Sequence, residues 1–161
     1  MRKVDDSRPG GTFAPGATGG DSRSVRLPAL SVRQPWAALL ISGRKTVEIR
    51  TWPTKVRGPI LIHAGKLPDK RPDGWAWVES QDLSARANLT GGVIGVADLV
   101  ECVAYRSTAA FVADRDCHRN PAEWFRPPVL YGFRFENPRP VRFEPYKGNT
   151  FFFPVEGIAL S

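Results

Sequence analysis

Disulfide chemistry is nearly absent from this chain. It has two cysteines, Cys102 and Cys117, and they do not form a framework of repeated spacings. A disulfide-stapled secreted fold is thereby excluded, and a reducing, cytoplasmic location is expected. No run of about 18 apolar residues occurs, so no membrane-spanning helix is expected. The opening residues hold no apolar core of a secretory signal, and none is expected. There is no paired C-x-x-C, and Cys117-His118 are adjacent, a spacing poorly suited to chelation. No metal site and no cofactor are expected. Glycine-rich phosphate loops, the serine elbow and zinc-protease motifs are all missing, which removes those enzyme classes. Internal repeats are missing too.

Negative charge is the scarcer sign, with 16 Asp and Glu against 23 Lys and Arg, a net charge of +7 and a pI near 9.9. The first 25 residues carry four of those cations against three aspartates, so almost all of the excess lies in the rest. A basic folded region favours anionic partners, nucleic acid and nucleotides first. At 161 residues and 42% apolar content, one domain with a real core is expected. Residues 1–25 are rich in Gly and Pro and cannot bury enough surface to offset their ordering entropy. They read as a disordered leader before a domain spanning 26–161.

Along that domain, a strand is expected near Leu27–Val32. Pro35 suits a first helical turn, and Trp36, Leu39 and Leu40 make one apolar stripe that ends at Gly43. A strand follows at Thr46–Thr51, then an apolar strand at Ile60–Ala64. The stretch 65–92 is irregular, with a possible helix over Trp75–Ala87. Val93–Val100 is a strong strand, in which Gly95 signals a bulge or a close backbone approach. From Tyr105 to Pro128 the chain is polar and loop-like. Tyr131–Phe135 alternates as a strand, Asn137–Pro140 breaks it, and a last strand lies near Phe151–Val155. The class is α+β, mostly β: a small barrel with one or two short helices.

The strand at Thr46–Thr51 carries the most chemistry. Period-two alternation puts Thr46, Glu48 and Arg50 on one face and Val47 and Ile49 on the other, with Lys45 at the entry. A carboxylate beside an ammonium can orient a base or take a proton, or can be a plain ion pair. Arg50 can fork a phosphate or pair with Glu48. Arg33-Gln34-Pro35-Trp36 precede this strand and His63 follows it, so three consecutive elements bring polar groups toward one place. Five tryptophans are many for a basic domain. Trp52 and Trp124, beside polar loops, suit exposed stacking platforms, and Trp36 suits the core.

Leu30-Ser31-Val32-Arg33-Gln34-Pro35-Trp36, Gly43 to Trp52 and Ile62-His63-Ala64 together resemble the ASCH domain family, related to the PUA fold. The likeness covers about residues 26–157, and Tyr131–Pro138 with Lys147-Gly148 resemble the family's closing strands and basic turn. It implies a PUA-like barrel with a cleft lined by the Gly-x-Lys-x-x-Glu-x-Arg motif, here Gly43, Lys45, Glu48 and Arg50. It implies binding of RNA or of a nucleoside or nucleotide, and single-stranded RNA is the expected form because stacking and base-edge bonds need unpaired bases. Arg33, Gln34, Pro35, Trp36, Arg50, Trp52, Trp124 and Lys147 are the ligand-facing candidates, with Lys45 beside them. The alternative it implies is a hydrolase, either a ribonuclease or an amidohydrolase of a modified nucleoside. Lys45 and Glu48 would then supply acid–base chemistry, with His63 or Tyr131 assisting. Family amidohydrolases pair the lysine with a threonine nucleophile three residues later, and this chain has Glu48 there. A ribonuclease using the RNA's own 2′-hydroxyl needs no such nucleophile. A protein-interaction adaptor is the third reading.

Overall fold

The computed structural model describes residues 25–160, so the expected leader lies outside the described residues except for Val25. Its elements are β1 Val25–Val32, α1 Trp36–Ile41, β2 Val47–Arg50, β3 Gly58–Ala64, α2 Pro72–Trp75, α3 Gln81–Ala87, β4 Gly92–Tyr105, α4 Thr108–Ala113, α5 Arg115–His118, β5 Leu130–Pro145 and β6 Phe153–Ile158. The strands form one mixed sheet in the order β2-β5-β4-β3-β1-β6. Among these strands only β1 and β3 run parallel; the other neighbours are antiparallel. The class is α+β and mostly β, with five short helices among the described residues where one or two were expected.

All six residues of α1 are buried, because its sequence Trp-Ala-Ala-Leu-Leu-Ile is apolar on every side. A helix apolar all round belongs inside a fold, and α1 packs against β3, β4, β5 and α3. Gly95 on β4 makes that packing possible. A Cβ there would collide with Ile41 and with the Arg139 carbonyl. The pairing also shifts around Gly95, so the bulge and the close approach expected of this glycine are both present. Gly43 takes φ 77° just after α1, the left-handed conformation that ends helices. The Lys45 amide then donates back to the Leu39 carbonyl at 3.1 Å, which fixes how the chain enters β2.

The sheet curls around this helix. Arg50, at the end of edge strand β2, donates from Nη2 to the Ser31 carbonyl on β1 at 2.8 Å. Trp52, just beyond β2, meets Phe151 and Phe152 edge-on at 5.1 and 5.6 Å, just before β6. Side chains thus close the gap between opposite ends of the strand order. A second cluster, including Leu61, Val96, Phe153 and Val155, fills another face of the sheet.

Three expectations are corrected. Asn137–Pro140 does not break a strand, since β5 runs on to Pro145. From Val96 to Asp98 on β4, the partner moves from Arg139 to Glu136, so β5 carries one extra residue there. Such bulges accommodate prolines, which cannot donate to the ladder, and Asn137 adopts φ 51° within this one. The stretch 105–128 is not simply a loop. It holds α4, α5 and a 3-10 turn at Ala122–Trp124. Ser107 caps α4 by accepting from the Ala110 amide at 3.1 Å. Tyr105, Phe111 and Leu130 form a third small core beneath. Helices of four to six residues are too short to show an apolar period. In the same way, the single helix expected over Trp75–Ala87 is two, α2 and α3, with Ser80 capping α3.

Candidate functional site

A cleft of about 1390 Å³ opens where the ends of β1, β2 and β3 converge, with the loops 65–71, 120–126 and 146–150 as its rims. Seven Lys or Arg side chains line it against two carboxylates, with Trp36, Trp52 and Trp124 among the walls.

The floor is built by β2. Lys45 is 2% exposed, and its Nζ lies 3.2 Å from Glu48 Oε2. The ammonium donates to the His118 carbonyl at 3.2 Å and sits 4.5 Å above the Trp36 ring. Arg50 Nη2 approaches Glu48 Oε1 at 3.6 Å, so Glu48 faces both cations. Burial pushes the Lys45 ammonium below its ordinary value, and Glu48 restores only part of that. A lysine buried in this way gives up its proton more readily than a surface lysine.

One wall rests on Asp69. Its carboxylate accepts from Trp36 Nε1 at 2.9 Å and from the Arg71 guanidinium at 2.8 Å, while its carbonyl accepts from Trp75 Nε1 at 2.7 Å. Burial disfavours the charge, but the bonds from Arg71 and Trp36 outweigh it and hold the carboxyl at about 2. Arg71 then lies 3.5 Å over the Trp124 ring, and Trp124 meets Trp36 edge-on at 5.8 Å. Both cleft carboxylates are therefore neutralised by cations. Arg33, Lys66, Arg126 and Lys147 have no carboxylate partner among the described residues.

The opposite rim is held by His63. Its Nε2 lies 2.6 Å from the Tyr146 carbonyl, which can only accept, so this nitrogen carries the proton. In the neutral ring Nδ1 then accepts from the Ser31 hydroxyl at 2.9 Å. Gly148 packs on this pair, where a Cβ would come within 2.6 Å of His63 Cε1.

The ASCH domain model matches residues 30–139, well over half of the chain. The chain belongs to the ASCH domain family. Over 91 residues it is 34% identical to activating signal cointegrator 1 of Mus musculus and equally to that of Homo sapiens. Those alignments cover 48% of this chain and 14% of each relative, so the chain spans a small part of their length. The ASCH protein of Zymomonas mobilis has the same fold, with a TM-score of 0.50, 20% identity and coverage of 73% of this chain and 72% of that one. A tyrosine-to-phenylalanine mutant of that bacterial protein superposes with a TM-score of 0.52 at 20% identity, covering 73% of this chain and 74% of the mutant.

In this ASCH chain, the expected residues Lys45, Glu48, Arg50, Arg33, Trp36, Trp52, Trp124, His63 and Lys147 all line the one cleft. Gln34, Pro35 and Tyr131 do not. Gln34 is fully buried, with its amide donating to the Arg86 and Leu89 carbonyls and accepting from the Ala38 amide. It ties α1 to α3. Tyr131 is opposite Arg50 on the ladder and packs against the core rather than lining the cleft. Trp52 and Trp124 are half-buried rather than exposed platforms, covered by Phe151, Phe152 and Phe133 in one case and by Trp36 and Arg71 in the other. His63 has both ring nitrogens engaged within the protein, so it serves as a brace. Sequence reasoning missed Ser31, Lys66, Asp69, Arg71, Asn120 and Arg126. Pro68 and Pro72 flank the Asp69–Arg71 pair and were a usable sign of an ordered loop. Asn120 had no local signal, because it reaches the cleft through α5. Among the described residues, no group of three His, Cys, Asp or Glu is arranged to hold a metal.

Proposed function

We propose that the cleft binds single-stranded RNA or a nucleotide derived from it. ASCH proteins are associated with RNA binding. The observation that carries the reading here is the charge balance of the cleft. Its two carboxylates are each held by cations, and four further cations stand around tryptophan walls. Phosphates would meet Arg33, Lys66, Arg126 and Lys147. A base would stack against Trp124 in place of Arg71, or against the aromatic edge at Trp52. Titration of the full chain with labelled single-stranded oligoribonucleotides is the test. Saturable, salt-sensitive binding that weakens in Arg33→Glu and Lys147→Glu supports the reading. Binding unaffected by either change, or none at low salt, contradicts it.

One observation favours a second reading. Lys45 is buried beside Glu48 with its ammonium disfavoured. A lysine of that kind, in its neutral form, can take the proton from a 2′-hydroxyl as the oxygen attacks the adjacent phosphorus; the 5′-oxygen leaves with a proton from water and a 2′,3′-cyclic phosphate remains. This would make the protein a ribonuclease. Product analysis of wild type against Lys45→Met decides it. Cleavage products ending in a 2′,3′-cyclic phosphate that vanish in the variant support the ribonuclease reading, and intact RNA throughout leaves a binding protein.

A further inference from the structure

Among the described residues, three buried polar side-chain atoms have no hydrogen-bond partner: Glu48 Oε2, Arg50 Nε and Asn120 Oδ1. All three belong to residues lining the one cleft, and Glu48 and Asn120 are 9% and 8% exposed. Their positions are linked through Lys45. Its Nζ makes a 3.2 Å ion-pair contact with Glu48 Oε2, which leaves that oxygen further acceptor capacity, and it donates to the His118 carbonyl. The Asn120 amide in turn donates to His118 Nδ1 at 2.9 Å. Arg50 reaches the other oxygen of Glu48. Buried polar groups are normally paired, and orphans gathered in one place mark where an absent partner bonds. The terminal torsions of Glu and Asn are broad, so small rotations turn these oxygens toward the cleft.

We propose that this wall reads the Watson–Crick edge of an unpaired guanine, an inference that rests on the nucleotide-binding reading above. The unfilled groups are two acceptors and one donor. A complementary edge needs two donor atoms and one acceptor. Guanine supplies them with N1–H, the N2 amino group and O6. Uracil has one donor between two acceptors, cytosine one amino group with two acceptors, and adenine one amino group with one acceptor. A carboxylate and an amide oxygen facing N1–H and N2–H, with Arg50 Nε–H facing O6, leave no group unpaired. Trp124 stands in the same cleft and can pack the base plane when the base displaces Arg71 from its ring.

The test varies the ligand and then the protein. Tryptophan fluorescence is titrated with guanosine, inosine, uridine, cytidine and adenosine monophosphates. Inosine lacks only the N2 amino group. Guanosine monophosphate is expected to bind at least about fivefold more tightly than inosine monophosphate, and more tightly still than the other three, since good base-edge contacts discriminate by about 1 kcal/mol or more. In Asn120→Ala, checked for folding by circular dichroism, the guanosine-to-inosine ratio is expected to fall toward one. Equal affinity of wild type for guanosine and uridine monophosphates would overturn the guanine reading while leaving nucleotide binding intact, and would assign the orphaned atoms to bound water. No binding of any nucleotide or oligoribonucleotide would overturn the nucleotide-binding reading itself.

Discussion

Replacing Glu48 with Gln removes the charge opposite Lys45 while keeping the shape and one acceptor oxygen. Two unit charges at the observed 3.2 Å attract by about 5 kcal/mol at an effective dielectric of about 20. The new amide recovers part of this through a hydrogen bond. Lys45, at 2% exposure, has no water to supply the rest. Removing one member of a buried pair costs about 3–5 kcal/mol, and Glu48→Gln is expected in that range near neutral pH. The pH dependence gives an independent check. Burial holds Lys45 below its ordinary 10.5 in the folded protein, and loss of Glu48 lowers it further. The unfolded chain keeps its proton up to that ordinary value, so stability rises with pH between the depressed folded value and 10.5. The deficit of the variant therefore shrinks in alkali. Urea denaturation at about pH 7 and about pH 9.5 measures both effects. The double variant Lys45→Met/Glu48→Gln removes the orphaned ammonium and is expected to regain most of the loss. A loss under about 1 kcal/mol, the range of exposed pairs, that does not change with pH would refute the reasoning.

Other outcomes follow from the same geometry. Asp69→Asn is expected to cost about 1–2 kcal/mol above about pH 4, with allowance for the exposed Arg71; the wild-type advantage should fade as pH drops from 3.8 toward about 2, read by thermal unfolding. Burial holds His118 below 6.5, so the unfolded chain takes up a proton first and wild-type stability should fall as pH drops through 6.5. That slope should be absent in His118→Gln, and its persistence would assign the effect elsewhere. Gly95→Ala should cost about 1–3 kcal/mol by forcing Ile41 and α1 away from β4. A neutral result in denaturant melts would show that α1 has room to move.

Much of this was legible in the chain because local patterns decided it. Alternation at Lys45–Arg50 placed Glu48 and Arg50 together, and Gly95 announced the contact beneath α1. What escaped was non-local. Whether Glu48 pairs with Lys45 or Arg50 depends on α1 ending at Gly43 and on the His118 carbonyl reaching Lys45, and the answer is both. Tryptophans beside polar loops looked exposed, but distant partners such as Arg71 and Phe151 cover them. Gln34 looked ligand-facing because nothing nearby in sequence shows that its amide is consumed by α3 and the turn after it. Bulges let β5 run through two prolines, and bulges are a property of the paired strand as much as of the sequence that carries them.

The central claim is that the cationic cleft takes phosphates, and the salt dependence of RNA affinity tests it most directly. Four phosphate contacts, one each for Arg33, Lys66, Arg126 and Lys147, are expected to weaken single-strand binding roughly 50-fold between about 50 and about 200 mM salt. Each charge-neutralising change among the four should reduce that ratio about 2.6-fold. An affinity that is flat with salt, or a slope that survives when all four are replaced by glutamine, would contradict it.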